Sequence, residues 1–142
     1  MIVLLLLVSA RAADDAFDAM VHALSIKDPP PPCEQVEALA TDPVPLLLRA
    51  VNEIQRPPWV AMRAADCLVT RHAPAIEAEM TSWMGDSHRK GLGFLALGHL
   101  DEMEPALATR IATAAMAGPY RDEASTRIAR SDVESIRAIA TP

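Results

Sequence analysis

Three prolines set a period that few folds can accommodate. Pro45, Pro74 and Pro105 stand 29 and 31 residues apart, and each is followed by an apolar stretch with helical spacing. Two residues after each come Leu47, Ile76 and Leu107; six after, Val51, Met80 and Ile111; nine after, Ile54, Trp83 and Ala114. These offsets share one face of a helix of 3.6 residues per turn. Proline suits the first turn of a helix, where its missing N–H would be unpaired anyway, so each of the three is expected to open a helix. A second set of columns follows. Nineteen residues after each proline come the small Ala64, Gly93 and Ala124, and twenty-three after come the aliphatic Leu68, Leu97 and Ile128. They lie one turn apart on a second helix, separated from the first by Arg56-Pro57-Pro58, Gly85-Asp86-Ser87 or Gly118-Pro119.

Each period therefore reads as a helical hairpin. A single hairpin leaves its apolar stripe in water, so neighbours must stack to bury it. The expected fold is all-α: a right-handed α-solenoid of stacked helical hairpins with about three to four repeats. Composition agrees, since aromatic residues are only 4% and alanine is the commonest residue, a balance that favours close-packed helices over sheets. At 142 residues the chain has room for one domain and excludes a large multidomain enzyme.

Upstream, Phe17, Met20, Val21 and Leu24 repeat at helical spacing, as do Val36 and Leu39 within Cys33 to Ala40, which predicts an irregular first hairpin. Its connection, Lys27-Asp28 followed by Pro29 to Pro32, is barred from helix and expected to be a stiff polyproline II linker. Downstream, Ser131-Asp132-Val133-Glu134 fits a capping box and predicts a short helix from Asp132 to about Ala140.

The segments Val60-Ala61-Met62-Arg63-Ala64-Ala65-Asp66-Cys67-Leu68 and Ala96-Leu97-Gly98-His99-Leu100 resemble HEAT-like repeats of the short variety named for phycobilin lyases (PBS-lyase type). The second helix of that variety follows a Val-Arg-x-x-Ala-Ala-x-x-Leu-Gly scheme. The resemblance covers about Asp14 to Ala140 and implies the stacked fold; it implies no particular reaction, because such arrays serve many roles. Ala61 stands where the scheme often has Arg, while Lys90 and Arg121 keep a cation there. Arg127 falls at the position filled by Cys67 and Ala96. Members that hold a di-iron centre carry paired His-Glu dipeptides, which this sequence lacks.

Thirteen Lys and Arg against nineteen Asp and Glu give a net charge of −6, which disfavours nucleic acid and anionic lipid as partners. The apolar run Ile2 to Val8, followed by Ala10 and Ala12, has the arrangement of a cleavable export signal, although no Lys or Arg precedes it. The expected organisation is a signal peptide over 1–12 and a HEAT-like repeat domain over 13–142, in a periplasmic or secreted protein. Seven apolar residues fall well short of the roughly 20 that span a bilayer. Cys33 and Cys67 suit a disulfide in an oxidising compartment, or two unpaired thiols with Cys67 as a small core hydrophobe; both options stay open.

No catalytic residue, metal site or cofactor is assigned. His22, His72, His88 and His99 have no His-x-x-x-His spacing for zinc. Gly91-Leu92-Gly93-Phe94-Leu95-Ala96 loosely matches a dinucleotide loop, but no strand precedes it, and Gly93 belongs to the small column. No serine sits in a nucleophile elbow, and Glu77, Glu79, Asp101 and Glu104 read as solvated turns or helix starts. The expected function is a non-enzymatic protein-interaction scaffold for an unidentified protein partner, with self-association as a further option. The alternative is a lyase-like or chaperone-like module positioning a prosthetic group or client. Trp83 reads as core. The candidate contacts are Trp59, Arg63, Lys90 and Arg121, the three cations forming a ladder at equivalent repeat positions or bonding to carboxylates of neighbouring repeats.

Overall fold

A computed structural model describes the backbone of residues 2–141 and the side chains of residues 11–141. Among the described residues every regular element is a helix. The chain divides into two compact units, Met1–Cys67 and Leu68–Pro142. The export signal expected over 1–12 rests on the side chains of Ile2 to Val8, which lie outside the described ones. Among the described residues, no helix is long and apolar enough to cross a membrane.

The first unit holds α1 (Ile2–Ser25), α2 (Cys33–Glu37), α3 (Pro43–Glu53) and the larger part of α4 (Pro58–His72). Packing of α1 against α2 and α3 buries Phe17, Met20 and Leu24, one face of α1, together with Val36, Leu47 and Ala50. Arg49 lies 3.9 Å over the Phe17 ring and bonds to Asp14 at 2.9 Å and to Glu53 at 3.0 Å. Helix α3 opens at Pro43 rather than Pro45. Both prolines fall within the first turn, where the N–H groups have no helical partner, so either satisfies the rule and the earlier one sets the start. Between α1 and α2 the proline run is non-helical, and Pro32 has the polyproline II angles φ −67°, ψ 157°. Leu39 departs from expectation. Because α2 ends at Glu37 ahead of the turn into Pro43, Leu39 loses its register with Val36 and is 42% exposed.

The second unit holds α5 (Glu77–Gly85), α6 (Lys90–Gly98), α7 (Pro105–Met116), α8 (Arg121–Ile128) and α9 (Glu134–Arg137). Helix α5 packs against α6 and α7, α7 against α8, and α6 against α8. Pro105 is the first residue of α7, where the Glu104 carboxylate accepts the Leu107 N–H at 3.1 Å. Pro74 instead sits in a 3-10 turn, Ala73–Ile76, and α5 follows it. The columns Ile76, Met80, Trp83, Gly93, Leu97, Leu107, Ile111, Ala124 and Ile128 are all buried, while Ala114 is half-buried.

Two glycines permit close approach here. Tyr120 Oη donates to the Trp83 carbonyl at 2.6 Å, and a Cβ added at Gly93 would lie 2.0 Å from that hydroxyl. At Gly118 an added Cβ would lie 2.2 Å from the main-chain oxygen of Met84.

The terminal helix, α9, starts two residues later than expected and passes at Ala138 into a 3-10 turn that ends at Ala140, and Val133 at its N-cap makes no side-chain cap bond. Asp101 intervenes. Its carboxylate accepts the Ser131 hydroxyl and, at 2.8 Å, the Asp132 N–H, while Ser131 Oγ accepts the Val133 N–H at 3.1 Å. The Ser131 N–H, which the reciprocal bond would pass to Glu134, donates instead to the Ile128 carbonyl at 3.0 Å. The Ser131 hydroxyl, the Asp132 N–H and then Arg137 hold the Asp101 carboxyl below its ordinary value of 3.8. A depressed carboxyl stabilises the fold above its ordinary value and ceases to do so as pH falls through the depressed one. Asp101→Ala is thus expected to cost about 1 kcal/mol at pH 7, a modest figure because Asp101 is exposed. The difference between variant and parent melts should close below pH 3.8; a constant difference across that range would contradict the assignment.

Candidate functional site

The end of α1 gathers two of the four candidate contact residues. Helix C-termini leave carbonyl oxygens unpaired and favour a cation. Arg63 Nη1 donates to the carbonyl oxygen of Leu24 at 2.9 Å and to that of Ile26, and Trp59 Nε1 donates to that of Ser25 at 3.3 Å. Lys27 Nζ stands 4.1 Å over the Trp59 ring. Trp59 and Arg63 are four residues apart on α4, hence on one face, and that face closes α1. Arg63→Met is expected to cost about 1–2 kcal/mol in urea unfolding, because bonds from a charged donor are lost; an unchanged midpoint would show that solvent caps α1 equally well.

Beside this cluster Cys33, the first residue of α2, is joined to Cys67 of α4 by a disulfide, with S–S 2.01 Å and Cα–Cα 5.5 Å. A cavity of about 290 Å³ lies against it, lined by Leu24, Pro30 to Pro32, Arg63 and Asp66.

The remaining two candidates are in the second unit. Lys90 opens α6 and pairs with Glu123 of α8, which lowers the Glu123 carboxyl pKa, and its Nζ is 5.4 Å from the Phe94 ring. That is the pairing with a neighbouring carboxylate that sequence offers as the plainer role for Lys90. Arg121 opens α8, is exposed, and borders a cavity of about 290 Å³ with Met116, Ser125 and Ile139. The helix starts also correct the register of the cation ladder. Lys90 and Arg121 stand three residues before the small column, whereas Arg63 stands one residue before Ala64, so the three do not share a repeat position.

A further cluster in this unit was not singled out from sequence. Around a cavity of about 280 Å³ stand Phe94 and Leu97 of α6, Leu100 and Asp101 beyond it, and Arg127 and Arg130 at the end of α8. Arg127 Cζ lies 3.8 Å over the Phe94 ring, whose edge contact with Tyr120 has a centroid distance of 5.4 Å. Arg127 Nε is buried without a hydrogen-bond partner. The sequence carried one signal of this, a cation where Cys67 and Ala96 stand in the preceding periods. Chemically the cluster offers guanidinium donors beside an apolar wall, an arrangement suited to an organic anion.

Among the described residues no three His, Cys, Asp or Glu side chains are grouped as a metal site requires. His99 Nδ1 lies 3.0 Å from Glu102, and the carboxylates of Glu77 and Asp101 are engaged by Arg110 and by Ser131. Comparison with protein-family models, with curated proteins and with solved structures finds no match to this chain.

Proposed function

We propose that this chain is a non-enzymatic protein-interaction scaffold, a short right-handed solenoid of HEAT-like hairpins exported to the periplasm or secreted. The observation that carries the reading is the packing inside Leu68–Pro142. The first helices of two successive hairpins, α5 and α7, lie against each other, and so do the second helices, α6 and α8. Like-on-like packing is how repeats that cannot bury their own stripes complete a core. On this reading the partner docks on a shallow concave surface built from the second helices. Export draws support from the apolar run with its Ala-x-Ala site, and from a disulfide that persists best in an oxidising compartment.

The test is quantitative affinity capture of the chain from its native envelope fraction, coupled to mass measurement of the mature form. The reading expects a stoichiometric partner protein and an N-terminus at Ala13 or Asp14. Recovery only from the cytoplasm with Met1 retained would overturn export. A purified protein that carries a bound chromophore and captures no partner would overturn the scaffold in favour of the lyase-like alternative.

A further inference from the structure

Arg127 and Arg130 line the cavity between the ends of α6 and α8, and Arg127 Nε is buried without a hydrogen-bond partner. Two nearby carboxylates already have partners. Glu123 is held by Lys90, and Asp101 by Ser131 and the Asp132 N–H, with Arg137 close enough to lower its carboxyl pKa. Two guanidinium groups thus stand at a cavity whose one lining carboxylate, Asp101, is already engaged, with Glu123 close enough to Arg127 for its carboxyl pKa to be lowered by it. Arg127 Cζ stands 3.8 Å over the Phe94 ring, a contact that restrains the guanidinium. A planar fork matches a carboxylate by two parallel N–H···O bonds. Beside it, Phe94, Leu97 and Leu100 supply an apolar wall, and the volume of about 280 Å³ is near the lower bound of ligand pockets.

We propose that this cavity binds a carboxylate carrying a short aliphatic group, of about four to six carbons, with Arg127 and Arg130 as donors. Two sources present this chemistry: a free organic acid and the C-terminus of a polypeptide ending in an aliphatic residue. The proposal goes beyond the scaffold reading and does not depend on it, because the cavity is formed wholly within Leu68–Pro142.

The experiment titrates the full chain with N-acetyl-Ala-Leu as the free acid, with its C-terminal amide, and with hexanoate, followed by amide chemical shifts. The free acid is expected to shift residues of α6 and α8, and the amide to bind at least about tenfold more weakly. Arg127→Gln and Arg130→Gln are each expected to weaken the acid by about tenfold. Arg130 is exposed, so its variant keeps the test valid if the Arg127 variant does not fold. Gly98→Val offers another, since nothing lies within 4 Å of a Cβ there, and its side chain should obstruct the cavity. Hexanoate binding as tightly as the peptide supports the site with a free acid as its ligand; clear preference for the peptide supports it with a chain terminus. Equal binding of acid and amide, or full affinity in the Arg130 variant, would overturn the proposal.

Discussion

Opening the Cys33–Cys67 bridge is expected to remove about 3–4 kcal/mol of stability from the Met1–Cys67 unit. The bridge closes a sequence separation of 34 residues, and its absence returns that loop entropy to the unfolded chain. The folded side of the balance points the same way. Helix α2 has five residues, far fewer than a helix needs to persist alone, and Val36 is its buried residue. Thermal melts followed by circular dichroism, with and without reductant, should differ by about 10 °C. Cys33→Ala and Cys67→Ala should each reproduce the reduced value, and their combination should add little. Coincident melts would mean that burial, not the covalent link, holds α2.

The second large effect concerns a pair of glycines in the same helix with opposite fates. Gly93→Ala is expected to destabilise by about 2 kcal/mol, because overpacking and a displaced hydroxyl outweigh the gain in helix propensity. The added Cβ would lie 2.0 Å from Tyr120 Oη and 3.0 Å from its ring carbon, and Tyr120 cannot retreat without giving up the Trp83 carbonyl. Gly91→Ala meets nothing within 4 Å and is exposed, so it should stabilise by about 0.5–1 kcal/mol. Tyr120→Phe alone should cost about 1–2 kcal/mol, but in the Gly93→Ala background it should cost little or restore stability. Additive effects in denaturant midpoints at constant slope would refute the direct contact. Burial, with Asp86 adding to it, pushes the Tyr120 hydroxyl pKa up to about 12 from 10.0. A raised pKa of this kind contributes stability below the unfolded value, so the parent should lose stability as pH rises from 10 to about 12, and the Phe variant should not.

How much of this was legible in the residues depended on whether the physics was local. The helical hairpins were, since periodic apolar positions and proline breakers report on their own segment; Trp83, Leu97 and Ile128 are buried as their columns require. Helix starts were less so: Pro43 and Pro45 satisfy the same rule, and only the path of the chain out of α2 chooses between them. The terminal capping box did not close because the Ser131 N–H stays with the Ile128 carbonyl while its hydroxyl turns to Asp101, thirty residues earlier in sequence. Trp59 and Arg63 were visible as unusual residues but not their role, since the groups they meet are main-chain oxygens at a helix end, which no residue type announces. Burial of Cys67 followed from its helical pattern, whereas Cys33 lies outside the regular periods, so the spacing offered a disulfide without choosing it over two free thiols. The Arg127 cavity assembles from segments about thirty residues apart, so only the anomaly of a cation in an otherwise apolar column hinted at it.

The covalent link also changes what fragmentation would look like. Any single main-chain cut between Glu34 and Asp66 leaves both pieces on one thread, because Cys33 and Cys67 lie on opposite sides of it. Clipped molecules would travel with whole ones on a gel until thiol is added, and a protease map of this half read under oxidising conditions alone would record resistance where there had been cleavage.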